Sequence, residues 1–456
     1  MHYLRMTQIA AATLALATSG AHALPGDTGQ APVASPADTV GPNPRIAPVD
    51  KHLLPTMQIA PAKGWPKDAT PTAAQGIAVN AFASGLNHPR WLYVLPNGDV
   101  LVAETNSPPK PDDAKGIKGK VSKLVQGRAG ANAATANRIV LLRDADGDGV
   151  AETKTVFIDN LNSPFGMTLV DNDLFVADTD AVMKFAYTAG ATSITTPGIK
   201  LTDLPAGTIN HHWTKNIIAS KDGAKLYATV GSNSNAAENG IPAEEGRAAI
   251  WEIDRASGTK RLFATGLRNP NGMAWADSTT GGPGTLWAVA NERDELGNDL
   301  VPDYLTSVKD GAFYGWPYSY YGQHVDDRVK PPQPDMVAKA IQPDYALGAH
   351  VAALGLVAAG ATALPAPLAN GMFIGEHGSW NRKPAVGYKV VFVPFADGKP
   401  SGSPVDVLTG FVNSKGEANG RPVGVAIDGK GALLVADDVG NSVWRAVGSS
   451  KTASSR

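Results

Sequence analysis

The chain has 456 residues, a formal net charge of -2, no cysteine, 49 glycines and 34 prolines. A balanced charge without long basic or acidic blocks gives no electrostatic case for binding nucleic acid or an anionic membrane. Without cysteine there are no disulfides and no thiolate metal sites, and glycine and proline spread along the whole length favour short strands joined by turns over long helices.

In chain order, residues 1–23 read as a secretory signal. Arg5 gives a positive start, "IAAATLALA" is a short apolar run, and Ala21-His22-Ala23 offers a small-x-small cleavage site. Cleavage near Ala23 would leave a periplasmic or secreted protein with no membrane-inserted part. An uncleaved anchor is the other reading, and the run is short for spanning a bilayer. Residues 24–75, rich in Pro, Ala, Thr and Asp without periodicity, are expected to form an extended, mostly unstructured lead segment, with "KGWP" (63–66) docking on the surface. The folded part is expected over 76–447, with a polar tail at 448–456.

Six times a short motif opens an apolar strand, followed by a turn and a second apolar strand. The copies are "LNHPRWLYVLPNGDVLVAET" (86–105), "LNSPFGMTLVDNDLFVADT" (161–179) and "INHHWTKNIIASKDGAKLYATVG" (209–231). They continue with "LRNPNGMAWADSTTGGPGTLWAVANE" (267–292), "HVAALGLVAAGATALPAPLANGMFIGEHG" (350–378) and "GRPVGVAIDGKGALLVADD" (420–438). Turn residues such as "PNG" and "KDG" make each a hairpin. Second hairpins follow several copies, as at 138–158, 249–267 and 388–411. Two hairpins per unit and six units predict an all-β, six-bladed β-propeller of four-stranded antiparallel blades. The last hairpin is followed by a lone strand, "NSVWRAV" (441–447), and "GIAVNAFASG" (76–85) supplies a fourth, so the two ends close one blade and remove an open edge. A β-sandwich, the competing architecture, leaves six copies of one motif unexplained.

In a propeller the strand-opening residues converge on one axial face. Here they are Asn87, His88 and Arg90; Asn162 and Ser163; Asn210, His211 and His212; Arg268 and Asn269; His350; and Arg421. Gathering guanidinium groups there is costly unless anions neutralise them, which points to an external guest with several carboxylates or phosphates held bidentately. The alternative is pairing with Glu104, Asp178 or Asp437 at neighbouring strand ends. His212, kept neutral by nearby positive charge, would be a competent general base, with His211 fixing the ring or turning aside. The acidic loop "NERDELGNDLVPDY" (291–304) suits Ca2+, or is a solvated loop. "GEHGSWNRKPAVGYK" (375–389) places His377, Trp380, Asn381 and Arg382 on one loop. In "DADGDGVAET" (144–153), Asp144, Asp146 and Asp148 alternate as in a calcium loop but lack the closing glutamate, so a second Ca2+ site and a plain Asx-rich turn both fit.

"LRNPNGMAWA", "NERDELGNDLVPDYLTSV", "GAFYGWPYSYYG", "HHWTKN", "GEHGSWNR" and "GRPVGVAIDGKGALLVADD" closely resemble soluble sugar dehydrogenases that depend on pyrroloquinoline quinone (PQQ), nearest to the sorbosone dehydrogenase-like branch. The resemblance covers about residues 76–447. It implies a propeller carrying PQQ and Ca2+ over its axis, oxidation of an aldose or sugar aldehyde at C1, and an external electron acceptor (a quinone, a dye or a cytochrome). It implies His212 as the base taking the C1 hydroxyl proton while hydride passes to the quinone, and Arg268 stabilising charge at the reacting carbonyl. It further implies Arg268, Asn269, Arg382 and Arg421 as cofactor-binding residues, Asn162 and Ser163 as sugar contacts, and the backbone carbonyls of Glu292 and Arg293 as Ca2+ ligands. Two other classes of function stay open: a Ca2+-dependent lactonase-type hydrolase, and a non-enzymatic binding propeller.

Overall fold

The strands of each repeat differ in burial, and the difference explains their composition. "VLVAE" (Val100–Glu104) and "LLVAD" (Leu433–Asp437) are buried at every position, because a neighbouring sheet covers each face and a continuous apolar run is needed. Outer strands such as Thr153–Ile158 and Lys260–Thr265 mix buried and exposed positions, because they form the rim.

A computed structural model of the protein describes residues 36–50, 58–109, 134–276, 284–360 and 362–449. The signal expected at residues 1–23, and the tail from residue 450, lie outside them. The described residues form a six-bladed propeller of four-stranded antiparallel sheets taken in chain order. Blade 1 comprises Pro89–Val94, Val100–Glu104, Arg138–Arg143 and Thr153–Ile158; blade 2, Met167–Val170, Asp173–Ala177, Ala181–Ala186 and Ile199–Asp203. Blade 3 comprises Ile217–Ala219, Lys225–Val230, Ala249–Asp254 and Lys260–Thr265; blade 4, Asn269–Ala276, Thr285–Asn291, Pro302–Ser307 and Tyr345–Ala349. Blade 5 comprises Ala353–Ala358, Gly371–Glu376, Lys389–Ala396 and Val405–Thr409. Blade 6 takes Pro422–Ile427, Leu433–Asp437 and Ser442–Gly448 from the C-terminal end and Ile77–Ser84 from the N-terminal end. The last two pair from Ile77 opposite Gly448 to Ser84 opposite Ser442, so the ring closes as expected.

Side chains from adjacent blades interdigitate between the sheets; Trp91, Leu101 and Ile139 of blade 1 pack with Phe165, Met167 and Val176 of blade 2. The axis itself is crowded. Gly272, two residues after the proline of "NPNGM", lies so close to the next inner strand that a β-carbon there would stand 2.6 Å from the Leu354 oxygen. Gly166, Gly355 and Gly424 take the same place in their repeats and abut the next blade in the same way. The glycine of the opening motif is thus a packing requirement.

Two features go beyond the repeat. Residues 308–344, between the third and fourth strands of blade 4, carry a small hairpin (Ser319–Tyr320 with His324–Val325) and a short helix, Pro334–Lys339. The lead segment is extended but fixed along its described part. Gly41 bridges to Ala346, Gln58 to Asn381 and Ala62 to Ala418, and Thr72–Ala73 pairs with the outer strand of blade 5. Backbone groups that would otherwise face water on an open edge gain partners there. No helix among the described residues is long and apolar enough to cross a membrane.

Gly272→Ala should destabilise the fold by about 1–3 kcal/mol through overpacking against fixed backbone. Gly429→Ala, where a β-carbon meets nothing within 4 Å, should leave stability nearly unchanged. Denaturant melts of both variants check this; equal midpoints would contradict the axial packing.

Candidate functional site

Each opening motif brings backbone amides to the buried axis, where they need acceptors. Glu104 accepts the Asn87 amide at 2.7 Å, and Asp437 accepts that of Arg421 at 2.8 Å. Asp303 accepts two amides, from Glu292 at 2.8 Å and from Ala352 at 2.7 Å. Glu104 and Asp437, two possible partners for the axial arginines, are therefore engaged with main chain. Glu104 also pairs with Arg138 at the strand end, and Oδ1 of Asp178 has no partner among the described residues.

Two of the arginines find other carboxylates, neither the external anion nor the strand-end acids expected of them. Arg90 donates to Asp438 at 2.7 Å and Arg268 to Asp294 at 3.0 Å. Both acids sit just past the end of a second strand, Asp438 as the last residue of its copy and Asp294 two residues beyond its own. Among the described residues, Arg421 has only neutral acceptors on its guanidinium: the Ala60 carbonyl and the Tyr388 hydroxyl, each at 3.2 Å. Asp438 also accepts from Nε2 of His377 at 2.9 Å. Burial alone would raise Asp438, but His377, His88 and Arg90 outweigh it and hold the carboxyl well below its usual range. Burial pushes His377 down to about 4 against the pull of Asp438.

A cavity of about 200 Å³ opens beside Arg268, lined by His212, Arg268, Asn269, Asn291, Glu292, Asp294, Asp303, His350, Ala352, Trp380 and Asn381. His212 is partly buried, and its Nδ1 lies 2.9 Å from the Ser232 carbonyl oxygen. Only an N–H can satisfy that contact, so Nε2 carries the lone pair. Burial and then Arg268 hold the imidazole well below its ordinary range, hence neutral. The close fit depends on Gly231, where a β-carbon would stand 2.5 Å from both Cβ of His212 and Oδ1 of Asn269. His350 faces two acceptors, Asp294 at 3.3 Å and the Gly297 carbonyl at 2.9 Å. Both ring nitrogens must then donate, so His350 is a cation; burial opposes this, but Asp294 raises the group above its ordinary value. Asp294, flanked by Arg268 and His350, is held below the usual carboxylate range despite its burial. Burial pushes Glu292 and Asp303 up to about 7 each. Oδ1 of Asn269, Oε1 of Glu292 and Oδ1 of Asn381 are buried and have no partner among the described residues.

Thus the structure brings His212, Arg268, Asn269 and Glu292 into one cavity. The Glu292 carbonyl accepts from Arg268 at 2.7 Å, while the Arg293 guanidinium turns away to Asp326. Arg382 is bound to the Asn298 carbonyl at 3.0 Å and to Asp299 at 2.5 Å, outside the cavity lining. Asn162 is exposed and Ser163 is buried, and neither lines the cavity. Arg421 lies across the axial face, over the Tyr388 ring. Asp144, Asp146 and Asp148 do cluster, joined by Glu152, with carboxylate oxygens within 4.8 Å of one another; Lys430 already donates to Asp144 at 3.3 Å. Sequence reasoning missed Asp294 and Asp303 as individual site groups, although the acid density of their loop was a signal for them.

The comparisons add the following. Residues 74–379, more than half of the chain, match the family model described as "Domain of unknown function (DUF7133)", and the chain belongs to that family. Residues 332–446 match a model described as TrAA12-like. An uncharacterised protein of Borreliella burgdorferi is 26% identical over 295 residues, 62% of this chain and 76% of that protein. Among solved structures, a calcium structure of the Trichoderma reesei carbohydrate-active enzyme of family AA12 is 18% identical, with TM-score 0.66 over 87% of this chain and 100% of that one. The holo form of the PQQ domain of pyranose dehydrogenase from Coprinopsis cinerea is 21% identical, with TM-score 0.63 over 84% and 98%. The PQQ-bound aldose sugar dehydrogenase of Streptomyces coelicolor is 15% identical, with TM-score 0.52 over 83% and 99%. What these structures share with the chain is the propeller fold.

Glu292 and Asp303 start from ordinary values of 4.5 and 3.8 and reach about 7 in the folded protein. Between those limits the folded state holds more protons than the unfolded, so stability falls as pH rises through the window. Thermal melts should show that loss between about pH 5 and 7, and Glu292→Gln should shrink it. An unchanged slope in the variant would contradict a proton-holding Glu292.

Proposed function

We propose that this member of the DUF7133 family is a PQQ-dependent dehydrogenase that oxidises an aldose or sugar aldehyde, sorbosone-like sugars included, at C1 and passes electrons to an external acceptor. The observation that carries the reading is the meeting of His212 and the Arg268–Asn269 pair, which open different blades, on one cavity with unspent oxygens. The likeness to propellers described as PQQ-bound sugar dehydrogenases supports it.

The residues present fit such a guest. The cavity offers unpartnered oxygens from Asn269, Glu292 and Asn381 beside Asp294 and Asp303, the hard donor set that Ca2+ takes. Among the described residues Arg421 keeps an unpartnered Nε–H and carries no carboxylate, and Arg268 lines the cavity, so these two would hold quinone carboxylates. PQQ, when bound, supplies the two-electron acceptor, and Ca2+ the Lewis acid.

The rest is work for the protein's own side chains. His212 takes the sugar hydroxyl proton at Nε2, its tautomer set by the Ser232 carbonyl. Its low affinity for protons keeps that lone pair available well below neutral pH. Arg268 is held in place by Asn235, Asp294 and the Glu292 carbonyl, so its charge is fixed before the substrate arrives. His350 balances Asp294 from the other side, which keeps Arg268 from being fully neutralised by that acid.

A second reading has an observation of its own. Carboxylates and amides around one cavity also describe a Ca2+-dependent lactonase. The two separate on one panel: purified protein with Ca2+, with and without PQQ, offered sugars with a dye acceptor and lactones without one. Dye reduction that requires both quinone and sugar is expected; lactone opening without quinone would replace the first reading with the second. His212→Ala should lower sugar turnover roughly 100- to 10,000-fold with an unchanged melt. Near-native turnover in that variant would remove His212 from the role.

A further inference from the structure

Arg421 is the axial arginine whose guanidinium meets no carboxylate among the described residues, yet it is only 5% exposed. Part of what holds it comes from outside the propeller. Its Nη2 donates to the main-chain oxygen of Ala60 and to the Tyr388 hydroxyl, both at 3.2 Å. The same hydroxyl also accepts the Ala60 amide at 3.4 Å and donates to the Ser379 carbonyl at 2.7 Å.

A second route runs from the same segment to the same residue. The indole N–H of Trp65 donates to Asp437 at 2.7 Å. The other oxygen of Asp437 accepts the backbone amide of Arg421 at 2.8 Å. The Trp65 ring stands edge-on between Phe411 and Trp444, with centroids 5.4 and 5.3 Å away. The contact leaves no spare room: a β-carbon on Gly440 would lie 2.7 Å from the indole. The segment also reaches the cavity wall, because the Gln58 amide donates to the Trp380 carbonyl at 3.0 Å and Trp380 lines the cavity.

We propose that Gln58–Trp65 is a working part of the axial site, with Trp65 and the Ala60 carbonyl as positioning groups that set Arg421 for a carboxylate guest; this rests on the quinone reading above. The segment is anchored by backbone bonds, the Lys63 amide donating to the Ala418 carbonyl and the Ala418 amide to the Pro61 carbonyl, each at 2.8 Å. Beyond that anchoring it commits polar groups to an arginine and to the acid that accepts that arginine's amide. A long side chain fixed before binding loses less entropy when the guest arrives. With the segment loosened, Arg421 would keep its charge but lose its aim.

The test uses the full chain. Trp65→Phe keeps an aromatic ring, smaller than the indole, and removes the N–H, while Trp65→Ala removes both. Three quantities are read: the melting temperature, the Kd for PQQ in Ca2+ by fluorescence titration, and the Nε–H signal of Arg421 in a spectrum of nitrogen-labelled arginine, assigned with Arg421→Lys. Trp65→Phe should melt close to the native protein and bind PQQ about tenfold more weakly, with the Arg421 signal shifted. Trp65→Ala should go further in the same direction, and if it does not fold, Trp65→Phe decides alone. Native affinity together with an unmoved Arg421 signal would overturn the proposal. If the native chain takes up no PQQ, the dehydrogenase reading falls, and the Arg421 signal by itself then decides the positioning: a shift upholds it, no shift overturns it.

Discussion

Backbone amides that face the propeller axis must be satisfied without water, and acidic side chains do it here. Glu104 and Asp437 end their strands, Asp303 stands near the start of one, and each accepts the amide of an opening motif. These bonds fix the turns that carry the axial side chains, at positions where a lost acceptor would leave a buried N–H and its full desolvation cost. They also commit acids that would otherwise be available to arginines. The turns that carry Asn87, Ala352 and Arg421 are fixed by that commitment.

The charges divide accordingly. Asp438 takes Arg90 and His377, Asp294 takes Arg268 and His350, and Arg421 is left with a carbonyl and a hydroxyl. On the proposed reading, an anionic guest would meet one arginine with no acid among the described residues and another already shared. It would also meet Glu292, Asp294 and Asp303, which line the cavity. Bringing a polycarboxylate against that wall is unfavourable unless a cation enters with it, so guest and Ca2+ should bind as an interdependent pair.

The fold was legible in the sequence because its physics is periodic. Six motifs shared a proline or an equivalent residue and an apolar run, and four of them a glycine, which axial crowding demands at Gly166, Gly272, Gly355 and Gly424. Closure was legible because Ile77–Ser84 and Ser442–Gly448 were incomplete alone. The site was legible in part. His212, Arg268 and Asn269 lie within the motifs themselves, so their convergence followed from the fold. Arg382 sits on a loop, and which way it turned depended on Asn298 and Asp299, contacts that no spacing encodes. Asp294 and Asp438 stand just past strand ends, so a ring of uncompensated arginines was expected where ion pairs stand. The lead segment carries few apolar residues and no period, and Trp65 alone hinted at the anchoring that the structure shows.

The interdependence of guest and cation is most directly read by calorimetric titration of the full chain with PQQ, once in Ca2+ and once in a chelator. Uptake of one quinone per chain in Ca2+, weakened about tenfold or more by the chelator, is the predicted result. Equal affinity in both conditions, or no uptake in either, would contradict it.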